Sequence, residues 1–234
     1  MTLQDIYLWL DRMAPFDTQE SFDNSGMLLG HPSQEVRRVF FTLDVTPAAL
    51  DEADDFGADL IISHHPLIFH PLTHLREDDS QARILCRMIR RSMGLICAHT
   101  NLDRAPGGIN DVLLETCGLQ LTYASGYVRA GRLRVPMPVN TLRTYLEKKL
   151  GAPVRIMGNG TEAPVTTIAL SSGAGSEFWP QALECGAQVF LSGEIRHHHA
   201  LEMNRQGIIA AEAGHDATEK PVNSQSNVHS VKRG

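Results

Sequence analysis

Two segments far apart in this 234-residue chain follow one plan. Phe56-Gly57-Ala58-Asp59-Leu60-Ile61-Ile62-Ser63 and Cys185-Gly186-Ala187-Gln188-Val189-Phe190-Leu191-Ser192 each leave a Gly-Ala turn and run through apolar residues to a serine. The match extends upstream. VRRVFFTLD, starting at Val36, and VTTIALSSG, starting at Val165, stand 129 positions apart (165 − 36), the offset that also separates Gly57 from Gly186 (186 − 57). Gly94-Leu95-Ile96-Cys97-Ala98 then aligns with Gly207-Ile208-Ile209-Ala210-Ala211 at an offset of 113, and the first half carries a His-rich loop where those 16 positions are lost. Three aligned blocks point to an internal duplication. Each copy alternates strand, helix and strand, which calls for a sheet with parallel neighbours and helices on its faces. The expected fold class is α/β, with two similar βαβ-containing lobes.

The rest of the chain fits around these copies. Residues 2–13 predict an amphipathic helix with Ile6, Trp9, Leu10 and Met13 on one side. Phe22 to Gly30 reads as a turn entering a short strand. Thr46-Pro47 opens a helix through Asp55, with Thr46 as its cap and Pro47 in its first position. A basic helix is expected over 81–91. Residues 128–158 read as strand, helix, strand, with Leu142, Tyr145, Leu146 and Leu150 on one helical face. The expected organisation is a first α/β lobe over 1–121, a connecting strand-helix-strand lobe over 122–164 and a second α/β lobe over 165–219. Residues 220–234 are polar and aperiodic and read as a disordered tail.

Composition removes several function classes. A formal charge of −6 argues against a non-specific nucleic-acid partner, which would want a basic surface. The first residues, MTLQDIYLWLDRMAP, have acids among the apolar side chains and no basic lead, unlike a signal peptide. No apolar run approaches the roughly 20 residues that cross a bilayer. The four cysteines have no C-x-x-C spacing and read as free thiols. Together these features point to a cytoplasmic protein without membrane partners.

Chemistry should collect where strands end and helices begin. The unusual residues stand there: Ser63-His64-His65-Pro66, His99-Thr100-Asn101-Leu102-Asp103, Gly193-Glu194, and Gly214-His215 through Glu219. Imidazole and carboxylate together suit Zn, Fe, Mn, Co or Ni better than Ca or Mg. His215 and Glu219 are four apart, so a helix puts them on one face. Adjacent His64 and His65 diverge on an extended backbone. That suits two ions, with Asp103 able to bridge them through its two oxygens.

Taken singly, each motif has a plainer structural reading. A His-His pair after a strand can cap or pack, Asp103 can be a turn residue, and G-H-x-x-T-E can open a helix. Arg196-His197-His198-His199 reads as a solvated helix face, and His70 and His74 as loop residues. Four polar strand ends in one chain favour a metal site, holding two divalent ions per chain between the lobes at the C-terminal strand ends. His64, His65, Asp103, His215 and Glu219 are the expected ligands. His99 and Glu194 are candidates for acid, base or ligand-orienting roles. Arg104 and Arg196 stand beside motif residues as cations for phosphate.

At these residues the chain resembles the GTP cyclohydrolase 1 type 2 homolog family, also called the interacting-factor-3-like family. The matching segments are Asp23-Asn24-Ser25-Gly26, Gly57-Ala58-Asp59 running into Ser63-His64-His65-Pro66-Leu67-Ile68-Phe69, Ala98 to Asp103, Gly107-Gly108-Ile109-Asn110-Asp111, Ser192-Gly193-Glu194 and Gly214 to Glu219. The resemblance spans about residues 20–219. It implies a dinuclear metal site on His64, His65, Asp103, His215 and Glu219, two similar α/β lobes and a ring-shaped homohexamer. It also implies a metal-dependent hydrolase acting on a nucleotide or phosphate-bearing substrate, with GTP ring opening as the named activity. A non-enzymatic, metal-dependent regulatory or protein-interaction role is the alternative. Phe22 and Ser25 replace the Trp and Val common in that family, and residues 220–234 lack the apolar helix and strand that follow its T-E.

Overall fold

The computed structural model describes residues 1–158 and 163–220. Of the tail expected over 220–234, residues 221–234 lie outside them. The chain divides after Ala105 into two compact units.

The first unit begins with α1 (Leu3–Met13), whose N-terminus is closed by a reciprocal pair. Asp5 N donates to Thr2 Oγ1 and Thr2 N donates to the Asp5 carboxylate, which satisfies two otherwise orphaned amides. Then follow β1 (Gly26–Leu29), β2 (Val39–Thr42), α2 (Pro47–Phe56), β3 (Leu60–Ser63), α3 (Ser80–Arg90), β4 (Gly94–Cys97) and α4 (Thr100–Arg104). The strands lie in the order β1-β4-β3-β2, parallel except for the edge strand β1.

Alternation along the strands supplies two cores. Leu60, Ile62 and Ile96 face Leu3, Ile6 and Leu10 of α1, while Ile61 and Leu95 face Leu50, Ala53 and Met88 of α2 and α3. A sheet covered on both faces needs strands that are apolar throughout, and β3 and β4 are buried at every residue. Each such Leu or Ile contributes roughly 1.5–3 kcal/mol by leaving water. The helix expected over 2–13 forms, but Trp9 and Met13 are exposed. The stripe that meets the sheet is Leu3, Ile6 and Leu10; Trp9 flanks it and Met13 ends the helix.

The second unit contains α5 (Ile109–Thr116), β5 (Gln120–Ser125), β6 (Val128–Met137), α6 (Val139–Leu150), β7 (Arg155–Met157), β8 (Val165–Ser171), α7 (Pro180–Glu184), β9 (Val189–Ser192), α8 (His197–Arg205), β10 (Ile209–Glu212) and α9 (His215–Glu219). Its sheet runs β5-β6-β8-β9-β10-β7. Leu142 and Leu146 of α6 are fully buried, as their spacing predicts.

The duplication is visible in the sheet registers. β3 pairs Leu60 with Val39, and β9 pairs Val189 with Ile168, so both strands keep the offset of 129. Leu60 also pairs with Gly94 and Val189 with Ile209, which makes the third offset 115 rather than the expected 113 (209 − 94). The second copy is therefore shorter here by 14 positions (129 − 115) rather than 16, because Gly207 precedes β10 by two residues whereas Gly94 opens β4.

The repeat is longer than three strands. In both units a helix, an antiparallel edge strand and a strand-helix-strand-helix-strand series follow in the same order: α1-β1-β2-α2-β3-α3-β4 and α6-β7-β8-α7-β9-α8-β10. The segment expected as a separate connecting lobe over 122–164 is therefore part of the second unit. β5 and β6 extend that sheet through β6–β8 pairing, and β7 closes its other edge on β10. Their backbone hydrogen bonds are spent inside one sheet, so no free-standing lobe remains. The first boundary falls after Ala105 rather than at 121 because α5 packs on β6 and β8 of the second unit.

Candidate metal centre

In the first unit the ends of β3 and β4 bring three imidazoles together. Parallel pairing continues past the strands: His64 N donates to Thr42 O, His65 N to Leu43 O and Ala98 N to Ser63 O. These bonds fix the backbone of the His-His pair. The ring centroids of His64 and His65 are 4.8 Å apart, those of His64 and His99 5.1 Å, and those of His65 and His99 5.6 Å. One nitrogen from each ring lies within 4.8 Å of the other two. Asp103, one helical turn beyond His99, has a carboxylate oxygen 3.6 Å from His64 Nε2.

The second unit brings His215 and Glu219 onto one face of α9, with His215 Nε2 3.1 Å from Glu219 Oε1. Glu219 is almost wholly buried. Around it the backbone is crowded. Gly173, with φ +54°, lies against the Glu219 carboxylate and the His215 ring, and a Cβ there would collide with them. A Cβ on Gly193 would stand 2.6 Å from Gly173 O and 2.8 Å from His215 Cα. Thr218 ties the turn together by accepting from Gly173 N at 3.0 Å. Asn110 accepts from Ser172 N at 2.7 Å and fixes the same turn from α5.

All four imidazoles are oriented the same way. Nδ1 of His64 faces Ala98 O at 2.9 Å, that of His65 faces Asp44 Oδ1 at 2.9 Å, that of His99 faces Asp23 Oδ1 at 2.8 Å and that of His215 faces Glu194 Oε1 at 2.8 Å. Carbonyl and carboxylate oxygens accept, so each Nδ1 is the donor; Nε2 of His64 then lies near Asp103 and Nε2 of His215 near Glu219. An imidazole held from behind by an oxygen is the arrangement that metal-ligating histidines adopt. Three imidazoles this close could not all be protonated without mutual repulsion, whereas neutral rings and carboxylates form a donor set suited to a divalent transition ion. The residues therefore fit such an ion.

Asp23 is the most enclosed of the supporting groups. Its side chain is 0% exposed and accepts from His99, Asn24 N, Ser25 Oγ and Thr100 N at 2.7–3.1 Å. Burial alone would raise its pKa, but the hydrogen bonds from His99 and Thr100 and the nearby His99 charge outweigh it and hold the carboxyl well below the usual range. His215, between two carboxylates, is pushed up to about 9, chiefly by its hydrogen bond to Glu219, against burial and with help from Glu194. In the ion-free chain that imidazole holds a proton which an incoming cation would replace.

The expected site residues thus form two sets. His64, His65, His99 and Asp103 gather in the first unit, and His215, Glu219 and Glu194 in the second. Asp44 and Asp23 had no role in the sequence reading. Asp44 ends the VRRVFFTLD segment and Asp23 lies in the Asp-Asn-Ser-Gly motif, so their placement was the available signal. Arg104 donates to Thr18 O at 3.0 Å, and Arg196 is exposed at the start of α8. His197 and His198 are also exposed, and His199 Nδ1 lies 3.0 Å from Ser176 Oγ.

Residues 1–229 match the family described as Duf34/NIF3 (NGG1p interacting factor 3). The chain belongs to this family. It is 32% identical to the GTP cyclohydrolase 1 type 2 homolog of Streptomyces coelicolor over 234 residues, covering 94% of this chain and 82% of the relative. It is 29% identical to the protein of that name in Clostridium perfringens over 232 residues, 95% of this chain and 88% of the relative. Among solved structures, the Staphylococcus aureus hypothetical protein SA1388 superposes with a TM-score of 0.88 at 27% identity, covering 96% of this chain and 90% of that one. Among the described residues, no helix is long and apolar enough to cross a membrane.

Proposed function

We propose that this NIF3-family chain is a metal-dependent hydrolase of a nucleotide or another phosphate-bearing substrate. Its centre takes two divalent ions per chain, from Zn, Fe, Mn, Co or Ni. His64, His65, Asp103, His215 and Glu219 would hold the ions. The observation that carries the reading is the common orientation of four imidazoles, each held at Nδ1 by an oxygen behind it. Packing alone has no reason to place an oxygen against Nδ1 of all four rings.

When bound, such ions supply Lewis-acid polarisation of a phosphoryl or carbonyl oxygen and acidify water. The chain's own groups do the rest. Ala98 O, Asp44 and Glu194 hold ligand rings in one tautomer, and Asp23 does the same for His99. His99 takes or returns a proton at Nε2, while buried Asp23 keeps its Nδ1 protonated. The assembly is a homohexamer and the setting cytoplasmic in this proposal.

Family membership also favours a second reading, a metal-dependent interaction or regulatory protein, since the family description names an interacting factor. One experiment separates them. Purified without chelator, the chain should hold close to two transition ions and release phosphate or formate from at least one compound in a nucleotide and phosphoester screen. Two ions with no turnover across the screen would leave the interaction role standing; one ion or none would remove the dinuclear centre from both.

A further inference from the structure

Phe22 and Phe69 belong to neither core cluster of the first unit. Phe22 is 63% exposed and Phe69 37%. Their ring centroids are 6.4 Å apart with planes inclined by 47°, and His70 meets Phe69 edge-on at 4.9 Å. Aromatic rings in water normally find apolar cover, because each buries a large area. Here the chain instead holds them in place.

The segments that carry the two rings are tied together and to the imidazole cluster. Asn24, two residues after Phe22, donates its Nδ2 to Ile68 O, directly before Phe69. Gln81 Nε2 donates to Leu67 O and holds the same stretch from α3. On the other side Asp23 N donates to Glu20 O at 2.9 Å, and Glu20 N donates to Thr100 Oγ1 at 3.0 Å. Asp23, the residue after Phe22, is the carboxylate that holds His99. Phe22 is thus one residue from the Asp23–His99 contact, and Phe69 lies on the loop that leaves His64 and His65.

We propose that Phe22 and Phe69 form a stacking platform for a planar heteroaromatic ring of the nucleobase class, carried by the substrate. The inference rests on the hydrolase reading above and narrows its substrate. Flat π faces bind flat π rings with little regard to their substituents. A platform already ordered by hydrogen bonds loses little freedom on binding. Aromatic side chains beside a polar reaction site are a common means of holding the unreactive end of a ligand.

The test uses the full chain loaded with metal and two probes, guanosine monophosphate and ribose 5-phosphate, which share the phosphate-bearing sugar and differ by the ring. Equilibrium dialysis should show the nucleotide binding more tightly. Saturation transfer from phenylalanine ring protons should reach the purine H8. Replacing both residues (Phe22→Leu with Phe69→Leu) keeps apolar bulk and removes the π faces. It should weaken the nucleotide by roughly tenfold or more and leave ribose 5-phosphate unchanged. Metal content and melting temperature should stay at the wild-type level.

Equal affinity for the two probes, no binding of either, or a double variant that binds the nucleotide like wild type would overturn the platform. So would a change of oligomeric state in the double variant, since the rings would then be covered by a second copy of the chain. The two readings fail separately. Phosphoester turnover without ring preference leaves the hydrolase and removes the platform. Ring-dependent binding without turnover leaves the platform and removes the hydrolase.

Discussion

The two units share one scaffold and use its strand ends differently. By sheet register, His65 after β3 corresponds to Glu194 after β9, and His64 to Gly193. Ala98 and Ala213 make the same bond, each donating its N–H to the serine that ends the neighbouring strand, so His99 corresponds to Gly214. The first unit therefore places imidazoles directly on the strand ends. The second has glycine at two of those three positions, and α9 packs so close to the β9 end that a Cβ at Gly193 would strike His215 Cα. Its donors then come from the helix, four residues apart. Glu194 stands where the other unit has an imidazole, and it orients one instead. A duplicated scaffold specifies where functional side chains emerge, and each copy chooses between carrying the ligand there and clearing space for one.

The strongest test of that contrast removes one donor from each unit. His64→Ala combined with His215→Ala should lose both ions and all metal-dependent turnover while far-UV circular dichroism stays native. Retained metal by elemental analysis would mean that neither set is the centre. Asp103→Ala alone should lower occupancy of both ions, and full occupancy in that variant would end its bridging role.

Next in size is the difference in tolerance at equivalent positions. Gly193→Ala should destabilise the chain by about 1–3 kcal/mol, the usual cost of forcing atoms into a packed site, because two of the three atoms it would strike, Gly173 O and His215 Cα, are backbone. His64→Ala, at the matching position, should change the melting temperature of the metal-free chain far less. Equal melting losses would show that the glycine is not there for close approach.

The supporting acids should come third. Asp23→Asn keeps the size of the side chain but weakens the hold on His99. It should reduce turnover and shift its pH profile with metal content little changed. Asp44→Asn and Glu194→Gln, whose carboxylates are largely exposed, should lower metal affinity by about tenfold, the low end for partners of ligating histidines. Competition with a chelator would measure this, and unchanged affinity in both would make the Nδ1 contacts incidental.

The smallest effect concerns acid. Lowering pH should release metal in a graded way as imidazoles compete for protons. A dialysis series from neutral to mildly acidic pH should show progressive loss that is reversed on return. Ions kept fully bound through the histidine range would point to a carboxylate-only site.

Much of this was legible in the chain. β3 and β9 are continuous apolar runs because both faces of a parallel sheet are covered, so Leu60–Ser63 and Val189–Ser192 announced themselves. Thr46-Pro47 and the apolar face of α6 behaved as local rules require. The donors stood out because His, Asp and Glu at strand ends have few packing reasons to recur. Less visible was the start of the second repeat: α6 and β7 play the parts of α1 and β1, yet β7 has only three residues and an edge strand is recognised by its partner. The offset of 115 needed the pairing itself, since Gly207 and Gly94 look equivalent in a sequence but occupy different sheet positions.

By itself, then, the sequence determined the α/β class, the duplicated strand-helix rhythm and the residue types able to bind a divalent ion, because these depend on local periodicity and side-chain chemistry. Tertiary structure decided which oxygen stands behind each imidazole. Asp23 lies 76 residues from His99, and Glu194 lies 21 from His215. The orientation of a ring depends on a partner brought in by folding, and no local pattern names that partner. The same holds for Phe22 and Phe69: their apolar character suggested burial, and only the packed chain left them exposed beside the site.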